Sequence, residues 1–317
     1  MTATEPAIQI AGLTKSFDDH TVLTGVDLTV PQGTVYALLG PNGAGKTTIV
    51  NILSTLITPG DGEIRVAGFD VRREAGQVRS SIGVTGQFSA IDELLTGREN
   101  LRLMADLAHL ERSSVGPTVT TMLERFDLVD AADRRAQTYS GGMKRRLDLA
   151  MTLISRPRLV FLDEPTTGLD PRSRRDLWAV VREQVADGVT VLLTTQYLEE
   201  ADQLADRVGV LDGGRLVAEG TPAELKRLVP GGRVEVQFAE ASALAAVAAH
   251  PGASADPDAL TLHAPHDGSI TGLRRLLDGL DDAVVTSLTV ESADLDDVFL
   301  ALTGHAAEAP ATEEIPA

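Results

Sequence analysis

The chain contains no cysteine, which excludes disulfides, thiol catalysis and Cys-ligated zinc. Aromatic residues make up only 3% of it, so the core drawn from its 43% hydrophobic residues has to be mostly aliphatic. Its six histidines fall singly, with no pair at H-x-x-x-H spacing, and no metal cage is expected. No apolar run reaches the roughly 18–20 residues needed to span a bilayer. Met1 to Ile10 lack the basic-then-apolar pattern of a secretory signal. These absences lead us to expect a soluble, cytoplasmic protein whose membrane contacts, if any, come through a partner.

Positive charge is also scarce. The chain carries 28 basic and 46 acidic residues, a formal charge of -18. Such a surface repels the phosphates of nucleic acid, so DNA or RNA binding is not expected. The imbalance is concentrated at one end: Arg233 to Ala317 holds 3 basic and 15 acidic residues, a balance of -12. That stretch reads as a solvated, solubilising end of the chain.

A length of 317 residues accommodates one large domain and a small one. The first two-thirds alternates short β-branched runs with helical stretches, the pattern of a parallel or mostly parallel α/β core. The clearest strands are Val35–Leu39, Leu159–Leu162 and Val189–Thr194. Each is nearly all apolar, as in strands covered on both faces. Each also leads into a polar or Gly-rich segment, where α/β proteins keep their ligands. Thr96 to Glu99 and Thr221 to Glu224 read as capping boxes, the second with Pro222 at the first helical position. Leu147, Ala150, Met151 and Ile154 form an apolar stripe at helical spacing, on a helix that must stop near Pro157.

Val229-Pro230-Gly231-Gly232 reads as a linker. Beyond it the pattern predicts a short α+β module with strands Val234–Phe238, Leu260–His263 and Val284–Val290. Helices are expected over Ala241–Ala249, Ile270–Leu280 and Leu295–Leu302. Two β-α units with extra strands would suit a ferredoxin-like arrangement. From Ala306 the chain is mostly Ala, Pro and Glu and is expected to be disordered.

Gly40-Pro41-Asn42-Gly43-Ala44-Gly45-Lys46-Thr47-Thr48 fits the phosphate-loop pattern G-x-x-x-x-G-K-[ST]. It follows the strand Val35–Leu39 and opens a helix expected over Thr47 to about Leu56, the context that motif requires. Glycines let the backbone wrap phosphate oxygens and aim N–H groups inward, and the helix N-terminus favours anions. Lys46 is placed to reach the β- and γ-phosphates of ATP, and the Thr47 hydroxyl to ligate Mg²⁺. Asp163 ends the run Leu159–Leu162, where a carboxylate can hold Mg²⁺ directly or through water. Its neighbour Glu164 can polarise an attacking water. Alone, two acids at a strand end are common; beside a phosphate loop they read as a hydrolytic site.

The stretch Tyr139-Ser140-Gly141-Gly142-Met143-Lys144-Arg145-Arg146 resembles the L-S-G-G-Q signature of ABC-type ATPases, with Tyr139 and Met143 as variants. The other motifs of that family follow in its order over about residues 6 to 228. Phe17 falls where an aromatic stacks on adenine, although a lone Phe also suits a core. Gln87 matches the glutamine that contacts Mg²⁺ and the attacking water. Asp170, in Thr167-Gly168-Leu169-Asp170, matches the D-loop. Gln196 occupies the switch position, where the family usually has histidine.

The resemblance implies a P-loop NTPase of the ABC type over residues 1–228, with a mixed sheet core and a helical signature subdomain. A small α+β accessory domain over 229–305 and a disordered tail over 306–317 complete the expected layout. It also implies a second copy of the chain. Ser140, Gly141, Gly142 and Met143 would begin a helix whose first N–H groups lack intrahelical partners. In the family those groups grip the γ-phosphate held by the opposite subunit, so that two subunits bury two ATPs. The segment Phe88 to Leu101 resembles the region that receives a membrane permease, which would hold the ATPase on the inner face of the membrane.

Gln196 departs from the family pattern. Its amide can donate one hydrogen bond but cannot carry charge or shuttle a proton, so hydrolysis would lean more on Glu164. The same residue also reads as the cap of the helix Tyr197–Leu204. Gln196 to Asp202, Ile91 to Asn100 and the ending Leu295 to Gly304 resemble the drug-resistance ATPases of the daunorubicin-exporter type. That ending equally reads as an amphipathic helix docking its own domain through Leu295, Val298, Phe299 and Leu302. The reading that follows is an export ATPase acting on a hydrophobic drug or antibiotic. The alternatives are a non-transport ABC ATPase and a nucleotide-gated regulator with low turnover.

Overall fold

The computed structural model describes residues 5–86, 90–229, 232–247, 252–266, 270–278, 284–291 and 294–304. They form two compact units, divided between Thr221 and Pro222. Gln87 and the tail 306–317 lie outside the described residues.

The first unit begins with β1 (Ile8–Phe17), β2 (His20–Val30), β3 (Val35–Leu39), α1 (Lys46–Leu53), β4 (Glu63–Val66), β5 (Phe69–Asp70), α2 (Ala75–Ser81) and β6 (Ile82–Thr85). Helices α3 (Gly97–Leu107), α4 (Arg112–Arg125) and α5 (Gly141–Leu153) follow. The unit ends with β7 (Leu159–Asp163), α6 (Pro171–Ala186), β8 (Thr190–Thr195), α7 (Leu198–Leu204), β9 (Arg207–Asp212) and β10 (Arg215–Gly220).

The strands make two sheets. One has the order β10-β9-β3-β8-β7-β6, parallel throughout except for the antiparallel edge strand β10. Its central strands β3, β7 and β8 are buried at every position, as their nearly all-apolar sequences predict. The other sheet, β2-β1-β4-β5, is antiparallel. Its strand β2 alternates from Val26, with Val26, Leu28 and Val30 buried between exposed neighbours, the pattern of a sheet covered on one face. A single aliphatic core joins the two sheets around α1, including Ile8, Leu13, Leu38, Ile49, Ile52 and Leu192.

Helix α3 packs on α4 and α5. The Thr96 capping box forms as expected: the Thr96 hydroxyl accepts from Glu99 N at 3.2 Å, and Glu99 Oε2 accepts from Thr96 N at 2.8 Å. Leu147, Ala150, Met151 and Ile154 are all buried, and α5 stops at Leu153, ahead of Pro157. Helix α1 ends at Leu53, sooner than the sequence suggests, and Thr55 just beyond it has φ 63°, which no helix can include.

The second unit contains α8 (Pro222–Lys226), β11 (Gly232–Phe238), α9 (Ala241–Val247), β12 (Ser254–Asp256), β13 (Thr261–His266), α10 (Ile270–Leu277), β14 (Val285–Glu291) and α11 (Leu295–Thr303). Its sheet order is β12-β13-β11-β14, with all neighbours antiparallel. From β11 to β14 the chain order is β-α-β-β-α-β, which is the ferredoxin-like arrangement. Val234, Val236, Phe238, Leu244, Leu262 and Leu276 form its core. Leu295, Val298 and Phe299 of α11 are buried, and α11 packs on α8, where Leu225 is buried. That packing explains why the division between units falls one short helix before the Val229–Gly232 linker.

Candidate functional site

Three neighbouring parallel strands end at one edge of the large sheet. Within it, Thr194 of β8 sits in register with Leu38 of β3 on one side and Asp163 of β7 on the other. The segments that follow, beginning at Gly40, Glu164 and Gln196, therefore leave the sheet side by side. This is where open α/β sheets bind ligands.

The phosphate loop depends on two glycines whose surroundings leave no room for a side chain. A Cβ at Gly40 would lie 2.3 Å from Leu211 O. Gly45, the N-cap of α1, has φ 107°, and a Cβ there would meet Leu23 Cδ2 at 2.7 Å. Asn42 and Gly43 are exposed at the tip of the loop, Ala44 is buried, and Thr47 and Thr48 are half-buried in the first turn of α1.

Lys46 is 4% exposed. A buried ammonium requires compensation, and Lys46 Nζ finds it. It donates to Gly40 O at 2.6 Å and Pro41 O at 3.1 Å, and lies 3.9 Å from Glu164 Oε1. The Thr47 hydroxyl donates to Asp163 Oδ1 at 3.3 Å, and the Thr194 hydroxyl donates to the same oxygen. Glu164 has φ 48°, in the left-handed region. Its N–H is held by both the carbonyl and the hydroxyl of Thr194, each at 3.1 Å. Lys46, Thr47, Asp163 and Glu164 thus meet in one place, while Thr194 buttresses the two acids. Thr194 carries no role in the sequence reading. The signal for it was two threonines, Thr194 and Thr195, closing a strand that is otherwise apolar.

Gln196 is half-buried and its Oε1 has no hydrogen-bond partner. It does not cap α7. The N-cap of that helix is Tyr197, whose N–H is held by Thr195 Oγ1 at 2.9 Å. Phe17 ends β1 and is 44% exposed, with Lys15 Nζ 4.8 Å from its ring centroid. It is therefore not a core residue.

Ser140 caps α5, accepting from Met143 N at 3.3 Å. Tyr139 is anchored inside the helical part, donating to Ala131 O at 2.6 Å. Gly141 lines a cleft of about 450 Å³ together with Asp163, Glu164, Thr167, Gly168 and Leu169. Asp170 caps α6, accepting from Arg172 N, Ser173 N and the Ser173 hydroxyl at 3.0, 2.9 and 2.6 Å. The Ser173 contacts hold its carboxyl below the usual range.

Two ionisable residues behind the site, the half-buried Arg145 and the buried Glu200, carry no role in the sequence analysis. Arg145 donates to Pro165 O, Asp148 and Asp163 O, and burial lowers its pKa despite the acids around it. Glu200, on α7, is 1% exposed, and burial raises its pKa. Its Oε1 accepts from Trp178 Nε1 at 3.2 Å.

Comparison with known proteins agrees with this geometry. The ABC transporter family model matches residues 23–167. A daunorubicin resistance ATP-binding protein of Streptomyces coeruleorubidus is 49% identical over 310 residues, covering 95% of this chain and 96% of its own. The chain belongs to the ABC transporter family.

Other members of the family give the same picture. The daunorubicin/doxorubicin resistance ATP-binding protein of Streptomyces peucetius is 46% identical over 97% of this chain and 96% of its own. A Nod factor export ATP-binding protein of Rhizobium meliloti is 45% identical, over 68% of this chain and 64% of its own. A solved ATP-binding subunit of an ABC transporter is 29% identical with TM-score 0.63, over 70% of this chain and 92% of that one. As a member of this family the chain is an ATPase subunit of an ABC exporter: it binds ATP and hydrolyses it. Among the described residues, no helix is long and apolar enough to cross a membrane.

Proposed function

We propose that the chain powers export of a hydrophobic, drug-like cargo through a separate membrane permease, acting as a homodimer with two ATPs between its subunits. One observation carries the reading of the site: Lys46 stands beside Glu164 and Thr47 beside Asp163, just past the ends of the parallel strands β3 and β7 that flank β8. The cargo class rests on the two daunorubicin resistance relatives, whose similarity extends over nearly the whole chain. The permease would hold the ATPase on the inner face of the membrane.

In this reading Gly40 to Thr48 wrap the phosphates of ATP, and Lys46 supplies the counter-charge at the γ-phosphate. Phe17 stacks on adenine through its exposed ring. Glu164 accepts a hydrogen bond from the attacking water and aligns it. Gln196 donates its amide to the γ-phosphate. Ser140, Gly141, Gly142 and Met143 present a helix N-terminus to the ATP of the opposite subunit. Asp170 keeps α6 capped beside that junction.

Asp163 and Thr47 fit Mg²⁺. Among the described residues no three His, Cys, Asp or Glu side chains cluster to hold a metal. A carboxylate and a hydroxyl completed by substrate phosphates are nevertheless the usual donor set for this ion. When bound, Mg²⁺ would neutralise charge on the β- and γ-phosphates. Gln87 is assigned to the same ion by resemblance alone.

Light scattering on the Glu164→Gln protein, with and without MgATP, tests the arrangement. A nucleotide-dependent shift from monomer to dimer supports the composite site. A protein that binds no ATP overturns the reading. Phosphate release by the unaltered chain separates it from the nucleotide-gated regulator: negligible turnover would favour the regulator.

A further inference from the structure

The signature helix carries three consecutive cations, and the helical turn sends them to three different places. Lys144 pairs with Glu93, on the segment that follows residues 87–89. Arg146 reaches Phe126 O at 3.2 Å and Asp127 Oδ2 at 2.9 Å, at the end of α4. Arg145 turns inward to the catalytic turn. Its Nε donates to Pro165 O at 2.8 Å and its Nη2 to Asp163 O at 3.4 Å. Those are the carbonyls on either side of Glu164.

We propose that Arg145 is a positioning residue: it clamps the backbone on both sides of Glu164 and so couples the signature helix to the water-polarising carboxylate. The proposal rests on the reading of Glu164 given above.

Glu164 needs such a clamp because φ 48° is a conformation that a residue with a Cβ leaves unless its neighbours hold it. Thr194 holds the amide of Glu164, and Arg145 holds the carbonyl before and the carbonyl after. A planar guanidinium can make both bonds at once. A lysine ammonium in its place has no fixed fork with which to bridge them.

Arg145 is itself oriented. Asp148, one turn along α5, accepts from its Nη1 at 3.3 Å through Oδ2, while Asp148 Oδ1 accepts from Ala90 N at 3.3 Å. The negative charges of Glu200 and Asp163 also favour the charged guanidinium. Arg145 and Asp148 together thus link Ala90 to the turn holding Glu164.

Helix α5 spans two jobs. Ser140 at its cap is assigned to the ATP of the opposite subunit, whereas Arg145, about 7–8 Å further along the axis, grips the turn that serves the subunit's own ATP. A shift of α5 when Ser140 closes on phosphate would therefore move Glu164. Such a link gives the two sites a physical means of acting together.

The test compares Arg145→Lys, Asp148→Asn, Glu164→Gln and the double variant Arg145→Lys/Glu164→Gln in the full chain. Turnover, KM and MgATP affinity are measured for each, with the unfolding midpoint as a control. We expect Arg145→Lys to lower kcat by about tenfold or more, as loss of catalytic alignment does. MgATP affinity and KM should stay within about twofold. Asp148→Asn should lower kcat by less, in the same pattern, without altering the guanidinium. In the Glu164→Gln background, Arg145→Lys should cost less than about twofold more, because the group it positions is already gone. Unchanged kcat in both single variants, a parallel loss of affinity, or multiplying losses in the double variant would overturn the proposal. Near-normal turnover in Glu164→Gln would instead remove the assignment of Glu164 itself.

Discussion

Lys46 Nζ lies 3.9 Å from Glu164 Oε1, although Lys46 opens α1 and Glu164 follows β7, far apart in the chain. The group assigned to phosphate thus faces the group assigned to water.

Lys46→Ala removes the counter-charge at that place. MgATP affinity should fall by about a hundredfold or more, roughly 2.7 kcal/mol or greater. Titration calorimetry measures it, and unchanged affinity would take phosphate binding away from Lys46.

Glu164→Gln keeps the shape of the side chain but removes the basic oxygen. Turnover should drop by about 10²–10³-fold, the range expected for loss of a positioned base. MgATP should still bind, so the variant separates binding from hydrolysis.

Gln196 Oε1 is buried with no hydrogen-bond partner, so a turn of the amide toward phosphate breaks no hydrogen bond at that oxygen. If its amide reaches phosphate, Gln196→His should preserve turnover or raise it by a few-fold, because an imidazole also donates there. Phosphate release is the readout. A large loss would show that the amide is specifically required.

Glu200 makes a prediction about stability and pH. Burial holds its carboxyl above the ordinary range in the folded chain. The native state then binds more protons than the unfolded state, so this group's contribution falls as pH rises from the unfolded pKa, about 4.3, through the folded one. Glu200→Gln should remove that loss while still accepting from Trp178. The midpoint of thermal unfolding should rise more at pH 8 than at pH 4. An equal shift at both values would mean that folding does not raise the pKa of this carboxyl.

Much of the nucleotide site is legible in the sequence because its parts are local. Gly40 to Thr48 form one loop whose spacing encodes a turn, a helix start and a cation. Asp163 and Glu164 close an apolar run, which marks them as the end of a buried strand. The Thr96 capping box and the stripe through Leu147 and Ile154 follow in the same way from helical geometry. Strand β12 left no such trace, since its three residues are all exposed and carry no alternating pattern.

The sequence by itself determined the phosphate loop, the acids at the strand end and the order of the motifs, because each depends on residues within one turn or one strand. Only the tertiary structure decided that Thr194 braces Asp163, that Lys46 faces Glu164, that Arg145 rather than Lys144 or Arg146 reaches the catalytic turn, and that α8 belongs with the second unit. Those outcomes depend on strand register, on the rotation of α5 and on what buries Leu225. Each brings together residues whose separation along the chain carries no trace of their contact.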